Sequence, residues 1–326
     1  MGECLNVLLS SAGRRVELLS CIRADLQYLG IDGKVVATDA SPLTPAGLLS
    51  DALEEVPRAD DESYLDVLAA IVEDYDIGLI IPTIDPELGV LSDAASMLRG
   101  LGARVAGSGP EALAVSLDKA ETHRFLLDND LQCPMQWSRS EAEEEASFLP
   151  YPVIVKPRCG SSSIGVEAID GPAELAVRLT DDSQIIESRA TGHEYTSDVW
   201  VDRSGRVRSI VPRRRIATRS GEVSKGVTLR HPEVIETVCR TAEALPDAYG
   251  PLTIQCFADG GAVQVIEINA RFGGGYPLSW QAGARTIRWA IQDALNWPLT
   301  PDEFAWQEEL TMLRYDQSLF VANPDS

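Results

Sequence analysis

The stretch V-I-E-I-N-A-R-F-G-G-G, residues 265–275, has the pattern of a strand that ends in polar side chains before a glycine turn. Alternate residues of a strand point to the same face, so Glu267, Asn269 and Arg271 would share one site. Carboxylate and amide oxygens suit hard cations such as Mg²⁺, and a nearby guanidinium suits phosphoryl or acyl-phosphate charge. A strand that merely ends in polar residues explains these few letters equally well. The rest of the sequence is needed to choose between a metal-binding site and a plain strand end.

Composition excludes several classes of partner. The 326 residues are 44% apolar, enough for a large core divided into two or three subdomains. A formal net charge of −22 argues against nucleic acid and anionic membrane as partners. No apolar run approaches the ~18 residues of a membrane span, and no basic leader precedes an apolar segment. These features predict a cytoplasmic protein.

The six cysteines are scattered, without a C-x-x-C pair. Most of them stand in apolar contexts, which predicts reduced, buried thiols rather than a zinc site or a disulfide framework. Cys159 differs because it stands in a glycine- and serine-rich loop, although a small filler residue is the simpler interpretation there.

Strands and helices alternate in the first 110 residues, which predicts parallel βαβ units and a doubly wound domain. Its ligand crevice would lie at the carboxyl ends of the strands. The turns S-A-G-R-R (residues 11–15) and T-I-D-P-E (residues 83–87) fall there. A helix start that carries Arg14 and Arg15 would suit a carboxylate or phosphate, with Arg14 as the expected contact to a substrate carboxylate. Asp85 and Glu87 would line the same crevice. Solvated arginines and acidic helix caps are equally good interpretations.

After a boundary at residues 107–110, a helix is predicted over residues 118–129, and a strand over 151–157 carries Lys156. The loop that follows contains Gly160, Ser161, Ser162, Ser163 and Gly165, whose backbone N–H and hydroxyl groups can approach phosphate. It is not a P-loop, and an ordinary hairpin loop is the alternative. Further strands are predicted at residues 183–187, 194–202, 206–211, 252–257 and 262–269, the last two joined by an Asp-Gly-Gly hairpin, and helical patterns close the chain.

The order of the motifs is more specific than any one of them. D-K-A-E-T at residue 118, V-I-V-K-P at 153, the Ser/Gly loop, I-I-E at 185, G-H-E-Y-T-S-D-V at 192, Gln255 and E-I-N-A-R at 267 resemble the ATP-grasp superfamily. The resemblance is nearest to stand-alone carboxylate–amine ligases related to the carbamoyl phosphate synthetase large subunit. It implies an α/β fold, α+β towards the C-terminus. The implied domains are a Rossmann-like one (1–110), a small lid (111–187) and a large subdomain with the metal site (188–326).

The resemblance also implies roles for individual residues. Nucleotide contacts would come from Lys119 and Lys156, from the glycines and serines of the loop, from Glu187 at the adenine and from Glu194 at the ribose. Mg²⁺ or Mn²⁺ would be held by Gln255, Glu267 and Asn269, although an acidic residue is commoner at position 255. Arg271 would face the acyl phosphate. The local patterns add two candidates to those that the resemblance implies. Lys225, in a predicted loop, would contact the phosphate or the substrate carboxylate, with a plain surface loop as the alternative. Arg213 and Arg215 would share one face of a strand, and Arg215 is favoured as the one that reaches the site.

The implied activity is ATP-dependent, ADP-forming ligation of a small-molecule carboxylate to an amine. Two alternatives keep the fold: a bicarbonate-using enzyme of the carbamoyl phosphate type, and a module that senses ATP without turnover. An oxidoreductase is disfavoured because the first turn lacks G-x-G-x-x-G. The fold allows a homodimer, but the sequence does not argue for one.

Overall fold

The computed structural model describes residues 3–160, 164–219, 221–301 and 304–322. In these ranges the chain forms three sheets, one parallel and two antiparallel, with helices packed on them. The three loop serines, Ser161, Ser162 and Ser163, fall outside the described residues, so their predicted phosphate contacts stay predictions. The described part contains no helix long and apolar enough to cross a membrane.

The first sheet is five-stranded and parallel, in the order β3-β2-β1-β4-β5. Helices cover it, so its strands are apolar on both faces, and Val7, Leu8 and Leu9 are completely buried. Its elements are β1 (Asn6–Leu9), α1 (Val16–Leu29), β2 (Val35–Asp39), α2 (Pro45–Leu49), β3 (Ala52–Glu55), α3 (Tyr64–Asp74), β4 (Ile77–Ile81), α4 (Asp85–Asp93), α5 (Ala95–Gly100) and β5 (Arg104–Val105).

The crevice of this domain lies between β1 and β4. The chain moves outward from β1 to β3 and then returns to place β4 on the other side of β1. This reversal is the point at which doubly wound sheets bind ligands. The two loops that meet there are those predicted from the sequence, residues 11–15 after β1 and residues 82–85 after β4.

The second sheet is four-stranded and antiparallel, in the order β6-β9-β7-β8. Two helices precede it, and the nearer one begins where Asp118 accepts a hydrogen bond from the Ala120 N–H, as expected of a helix N-cap. The elements are α6 (Pro110–Ser116), α7 (Lys119–Asp128), β6 (Gln136–Trp137), α8 (Arg139–Glu144), β7 (Val153–Pro157), β8 (Glu167–Ile169), α9 (Pro172–Arg178) and β9 (Gln184–Ser188).

The third sheet has six antiparallel strands in the order β14-β13-β10-β11-β12-β15. Helices α6, α7 and α10 cover its apolar face, and the largest hydrophobic core lies between them. The elements are β10 (His193–Val201), β11 (Val207–Arg219), β12 (Glu222–Thr228), α10 (Pro232–Ala244), β13 (Gly250–Asp259), β14 (Ala262–Asn269), α11 (Tyr276–Ala282), α12 (Thr286–Ala294) and β15 (Thr311–Leu313).

The predicted Asp-Gly-Gly hairpin is confirmed. Asp259 pairs with Ala262, and the two intervening glycines have φ values of +56° and +96°, which glycine adopts without a steric penalty. The mixed α/β class with a doubly wound first domain is confirmed as well. The domain boundaries at residues 110 and 187 stay predictions, and α6 and α7, which lie within 111–187, pack in the core of the six-stranded sheet.

Three expectations were wrong. Lys225 lies in strand β12 rather than in a loop, because β12 pairs along β11. The chain does not close with helices alone, because β15 adds an edge strand beside β12. The cysteines are all free, but only Cys21 and Cys256 are buried.

Candidate active site

Two adjoining cavities lie between the sheets. The larger cavity, of about 820 Å³, opens between the four- and six-stranded sheets and falls within the range of small-ligand sites. The smaller cavity, of about 90 Å³, lies between the six-stranded sheet and the crevice of the first domain. Arg215, Gln255 and Glu267 line both cavities. We call this shared wall the junction.

Strand register brings the junction residues together. Gln255 on β13 lies opposite Glu267 on β14, and Thr196 on β10 lies opposite Gln255. The pairing shifts by one residue just beyond Gln255, so Ile266 is an extra, bulged residue of β14. Ile266 and Glu267 consequently both line the larger cavity, as bulges commonly re-aim a side chain. Simple strand alternation does not predict this.

Glu267 is a half-buried carboxylate without a partner. Within the described ranges it makes no hydrogen bond and no ion pair, although its neighbours Gln255 and Asn269 each accept one from an arginine. An unpaired carboxylate in a cleft is a strong cation ligand, so its position fits a divalent metal held with the two amide side chains. The described residues contain no group of three or more His, Cys, Asp or Glu suited to a metal, because two of the three predicted ligands are amides.

A buried ion pair forms one wall of the larger cavity. The Lys156 Nζ atom lies 2.6 Å from Oε2 of Glu187, and the two side chains are only 8% and 10% exposed. The Gln136 amide donates to the other Glu187 oxygen at 2.9 Å. Lys156 and Glu187, two of the predicted nucleotide contacts, therefore lie in one cavity, and Glu187 fixes the position of the Lys156 cation.

A second lysine, Lys119, lines the same cavity as Lys156. Lys119, the first residue of α7, donates from Nζ to the Gly160 carbonyl at 2.7 Å, and Lys119, Gly160 and Ile164 line the larger cavity. Gly165, with φ of +71°, stands against Pro157 in the same loop and is not among the lining residues. Lys119 and Lys156 thus both line the cavity, and Lys119 contacts the first glycine of the predicted flap.

Glu194 and Arg215 form an ion pair at the junction. Arg215 also donates to Gln255 Oε1 at 3.4 Å and to the Gly221 carbonyl at 2.7 Å. Burial raises the pKa of Glu194, and the Arg215 charge opposes that rise. The pair places a guanidinium at the wall that the two cavities share, and the catalytic role of Arg215 stays a prediction.

Arg271 joins the first domain to the six-stranded sheet. Its Nε and Nη2 atoms donate to the Asp85 carboxylate at 2.7 and 3.0 Å, and Nη2 also donates to Asn269 Oδ1 at 3.1 Å. Such bidentate geometry is the strongest form of arginine–carboxylate contact. Asn269 and Arg271 thus line the smaller cavity, and Asp85 is joined to them through Arg271 without lining the cavity itself.

Besides Gly165 and Asp85, three predicted site residues of the described ranges line neither cavity. Glu87 is completely buried; it accepts hydrogen bonds from Ser10, Ser11 and the Thr83 and Ile84 N–H groups, and so ties the two crevice loops together. The Arg14 side chain is 76% exposed, and the cavity is lined by its neighbour Arg15 instead. Lys225 is exposed on β12 and lines neither cavity.

Arg213 is a buried structural neighbour of the site. It is 1% exposed and donates to Asp198 through Nε at 2.8 Å and Nη2 at 2.9 Å, and Ser279 also donates to Asp198 at a short distance. A Cβ atom at Gly275 would lie 1.9 Å from Nη1 of Arg213. The glycine is therefore needed for space.

We expect Gly275→Ala to lower the free energy of unfolding by about 1–3 kcal/mol, because the fixed Arg213 guanidinium cannot move away from the new methyl group. Gly89→Ala in α4 is the matched control: a Cβ atom there meets nothing within 4 Å, and alanine favours a helix over glycine by roughly 0.5–1 kcal/mol. Urea denaturation of both variants measures the difference. Equal unfolding free energies would contradict the steric role.

Several side chains at the site were not predicted. Gln136 stands far from the motifs in sequence, and pairing of β6 with β9 brings it to Glu187. Arg314 follows β15 and contacts Glu222 at 3.0 Å, Glu17 at 3.2 Å and the Gly274 carbonyl. No local pattern marks either residue, since each depends on contacts distant in sequence.

Comparison with protein families agrees with this geometry. The PylC-like N-terminal domain family matches residues 7–106, and the ATP-grasp domain family matches residues 116–275. The chain belongs to the ATP-grasp superfamily. The family predicted from the order of the motifs is therefore confirmed. The roles of individual residues in this ATP-grasp protein are not tested by the match.

The ATP-grasp chain is similar to curated D-alanine–D-alanine ligases. It is 34% identical to that of Pediococcus pentosaceus over 101 residues, 28% of each chain, and 30% identical to that of Mycobacterium sp. (strain KMS) over 229 residues, 60% of each. It thus spans less than two thirds of the length of these relatives.

Solved structures share the ATP-grasp fold. The biotin carboxylase domain of Hydrogenobacter thermophilus 2-oxoglutarate carboxylase aligns with a TM-score of 0.73 at 18% identity, covering 94% of this chain and 73% of that one. The L-amino acid ligase of Bacillus licheniformis aligns with a TM-score of 0.70 at 21% identity, covering 94% and 77%. At these identities the likeness establishes the fold.

Proposed function

We propose that this ATP-grasp protein is an ATP-dependent, ADP-forming carboxylate–amine ligase. One observation carries the proposal: a cavity with two lysines shares the wall formed by Arg215, Gln255 and Glu267 with a smaller cavity lined by arginines. A nucleotide and an organic acid are both anions. The arrangement suits bringing their reacting ends together at the junction.

The larger cavity would hold ATP. Lys119 and Lys156 would contact its phosphates, and apolar residues of the same cavity, among them Phe257 and Ile266, would cover the base. Glu267, Gln255 and Asn269 would hold Mg²⁺ or Mn²⁺, which would neutralise phosphate charge. Because Glu187 already pairs with Lys156, it would act there mainly by positioning that lysine.

The chemistry would proceed in two steps. A carboxylate oxygen of the acid substrate attacks the γ-phosphorus of ATP, and ADP leaves as an acyl phosphate forms. The amine nitrogen of the second substrate then attacks the acyl carbon; phosphate leaves, the nitrogen loses a proton and an amide results. Arg215 and Arg271 would flank the reacting groups and stabilise the negative charge that develops.

The test is ADP and phosphate release from ATP and Mg²⁺ with pairs of L- and D-amino acids, followed by mass analysis of the product. We expect one ADP, one phosphate and one amide per turnover, only when both an acid and an amine are present. Turnover with bicarbonate in place of the organic acid would support the bicarbonate-using alternative instead. ATP binding without turnover across the panel would favour a sensing module.

A further inference from the structure

The smaller cavity is lined by four arginines: Arg15, Arg213, Arg215 and Arg271. Three of them are already neutralised by a carboxylate of the chain, Arg213 by Asp198, Arg215 by Glu194 and Arg271 by Asp85. The fourth, Arg15, is different. It makes no ion pair with any residue in the described ranges.

Arg15 is half-buried and held in place by the backbone. Its Nη2 atom donates to the Thr83 carbonyl at 3.1 Å, and its Nη1 atom lies against Gly274, where a Cβ would come within 3.2 Å. Burial and the nearby Arg271 charge lower the pKa of Arg15 to about 10, so it is still a cation at neutral pH. Two acidic residues line the same cavity, Glu222 and Glu267. Glu222 contacts Arg314 at 3.0 Å and attracts Arg15 without forming an ion pair with it.

Arg15 lies apart from the junction, where the proposed reaction takes place. It belongs to the loop after β1, whereas the junction is formed by β11, β13 and β14. Arg15 lines only the smaller cavity, and Arg215 and Glu267 line both. The cavity of about 90 Å³ has room for roughly three water molecules, enough for a carboxylate and a short carbon chain.

We infer that Arg15 binds a substrate carboxylate that is not phosphorylated in the reaction. A half-buried cation with free donors is stabilised by an anion, and the planar guanidinium fits a carboxylate bidentately. This carboxylate belongs either to the amine substrate, which is then an amino acid, or to an acid substrate with a second carboxylate. The inference rests on the proposed ligase function and narrows its substrate class.

The test compares wild type, Arg15→Gln and Arg15→Lys with the amino acid pair that supports phosphate release, each substrate being varied in turn. We expect Arg15→Gln to raise the KM of one amino acid on the order of 10- to 100-fold, with the KM for ATP unchanged and partial recovery in Arg15→Lys. The substrate whose KM rises identifies the source of the carboxylate. Amidation of its non-reacting carboxylate should raise the wild-type KM similarly and remove the effect of Arg15→Gln. An unchanged KM, or an amide used as well as the acid, would overturn the inference.

A binding measurement separates this inference from the proposed function. If no amino acid supports turnover, L- and D-alanine and their amides are titrated calorimetrically into the full chain with ADP and Mg²⁺. Binding of the acid but not of the amide, lost in Arg15→Gln, would support the carboxylate site while counting against the ligase. Absence of carboxylate-dependent binding would overturn the site.

Discussion

Replacing Glu267 by glutamine is expected to reduce ATP turnover on the order of 10²–10³-fold or more, with little change in the free energy of unfolding. Glutamine has the same shape but lacks the charge that a divalent cation needs. Glu267 makes no hydrogen bond or ion pair to the described residues, so its replacement leaves no native partner unsatisfied. Steady-state ADP release and urea denaturation measure the two quantities.

Glu236→Gln is the matched control for this change. The Glu236 side chain is exposed to solvent on helix α10, which packs on the apolar face of the six-stranded sheet, and it lines neither cavity. Its rate should equal that of the wild type. Mg²⁺ affinity, measured in the presence of ADP, should fall only in Glu267→Gln. Wild-type turnover in Glu267→Gln would remove this carboxylate from the metal site.

Lys156→Met is expected to impair both stability and ATP turnover. The change leaves Glu187 buried without its cation, and breaking a buried pair in this way costs about 3–5 kcal/mol. It also removes one of the two cations proposed to contact the ATP phosphates, a loss worth on the order of 10²–10³ in rate. Denaturation and ADP release report the two effects separately.

The double variant Lys156→Met/Glu187→Gln separates the two roles of Lys156. Removing the orphaned charge should restore most of the lost stability without restoring turnover. Lys34→Met is the control, because Lys34 is exposed before β2. Recovery of turnover together with stability would mean that Lys156 acts only structurally.

The sequence predicted the parts of this fold that have local patterns. The buried runs of β1 and β4, the helix that Asp118 caps and the glycine hairpin before β14 depend on periodicity and turn chemistry within a few residues. The order of the motifs then predicted the family, because several weak signals in one sequence constrain the fold jointly. The placement of Glu267 and Asn269 near Arg271 follows from that order.

The sequence did not predict features that depend on distant contacts. Arg14 and Arg15 are adjacent, and only the packing of the first domain against the glycine turn decides which one enters the cavity. Glu87 has the pattern of a crevice residue, yet its hydrogen bonds to two loops bury it. The bulge at Ile266 depends on strand register, which no single strand encodes.

The strand β15 and the Arg314 that follows it have a practical consequence. Arg314 contacts Glu17 of the first domain, Glu222 of β12 and Gly274 of the glycine turn, so it holds together residues around the smaller cavity. A protease cut, an affinity tag or a shortened expression clone that disturbs residues 311–314 would therefore alter the smaller cavity while leaving the larger one in place. On the proposed function, such material would show reduced turnover with an unchanged affinity for ATP.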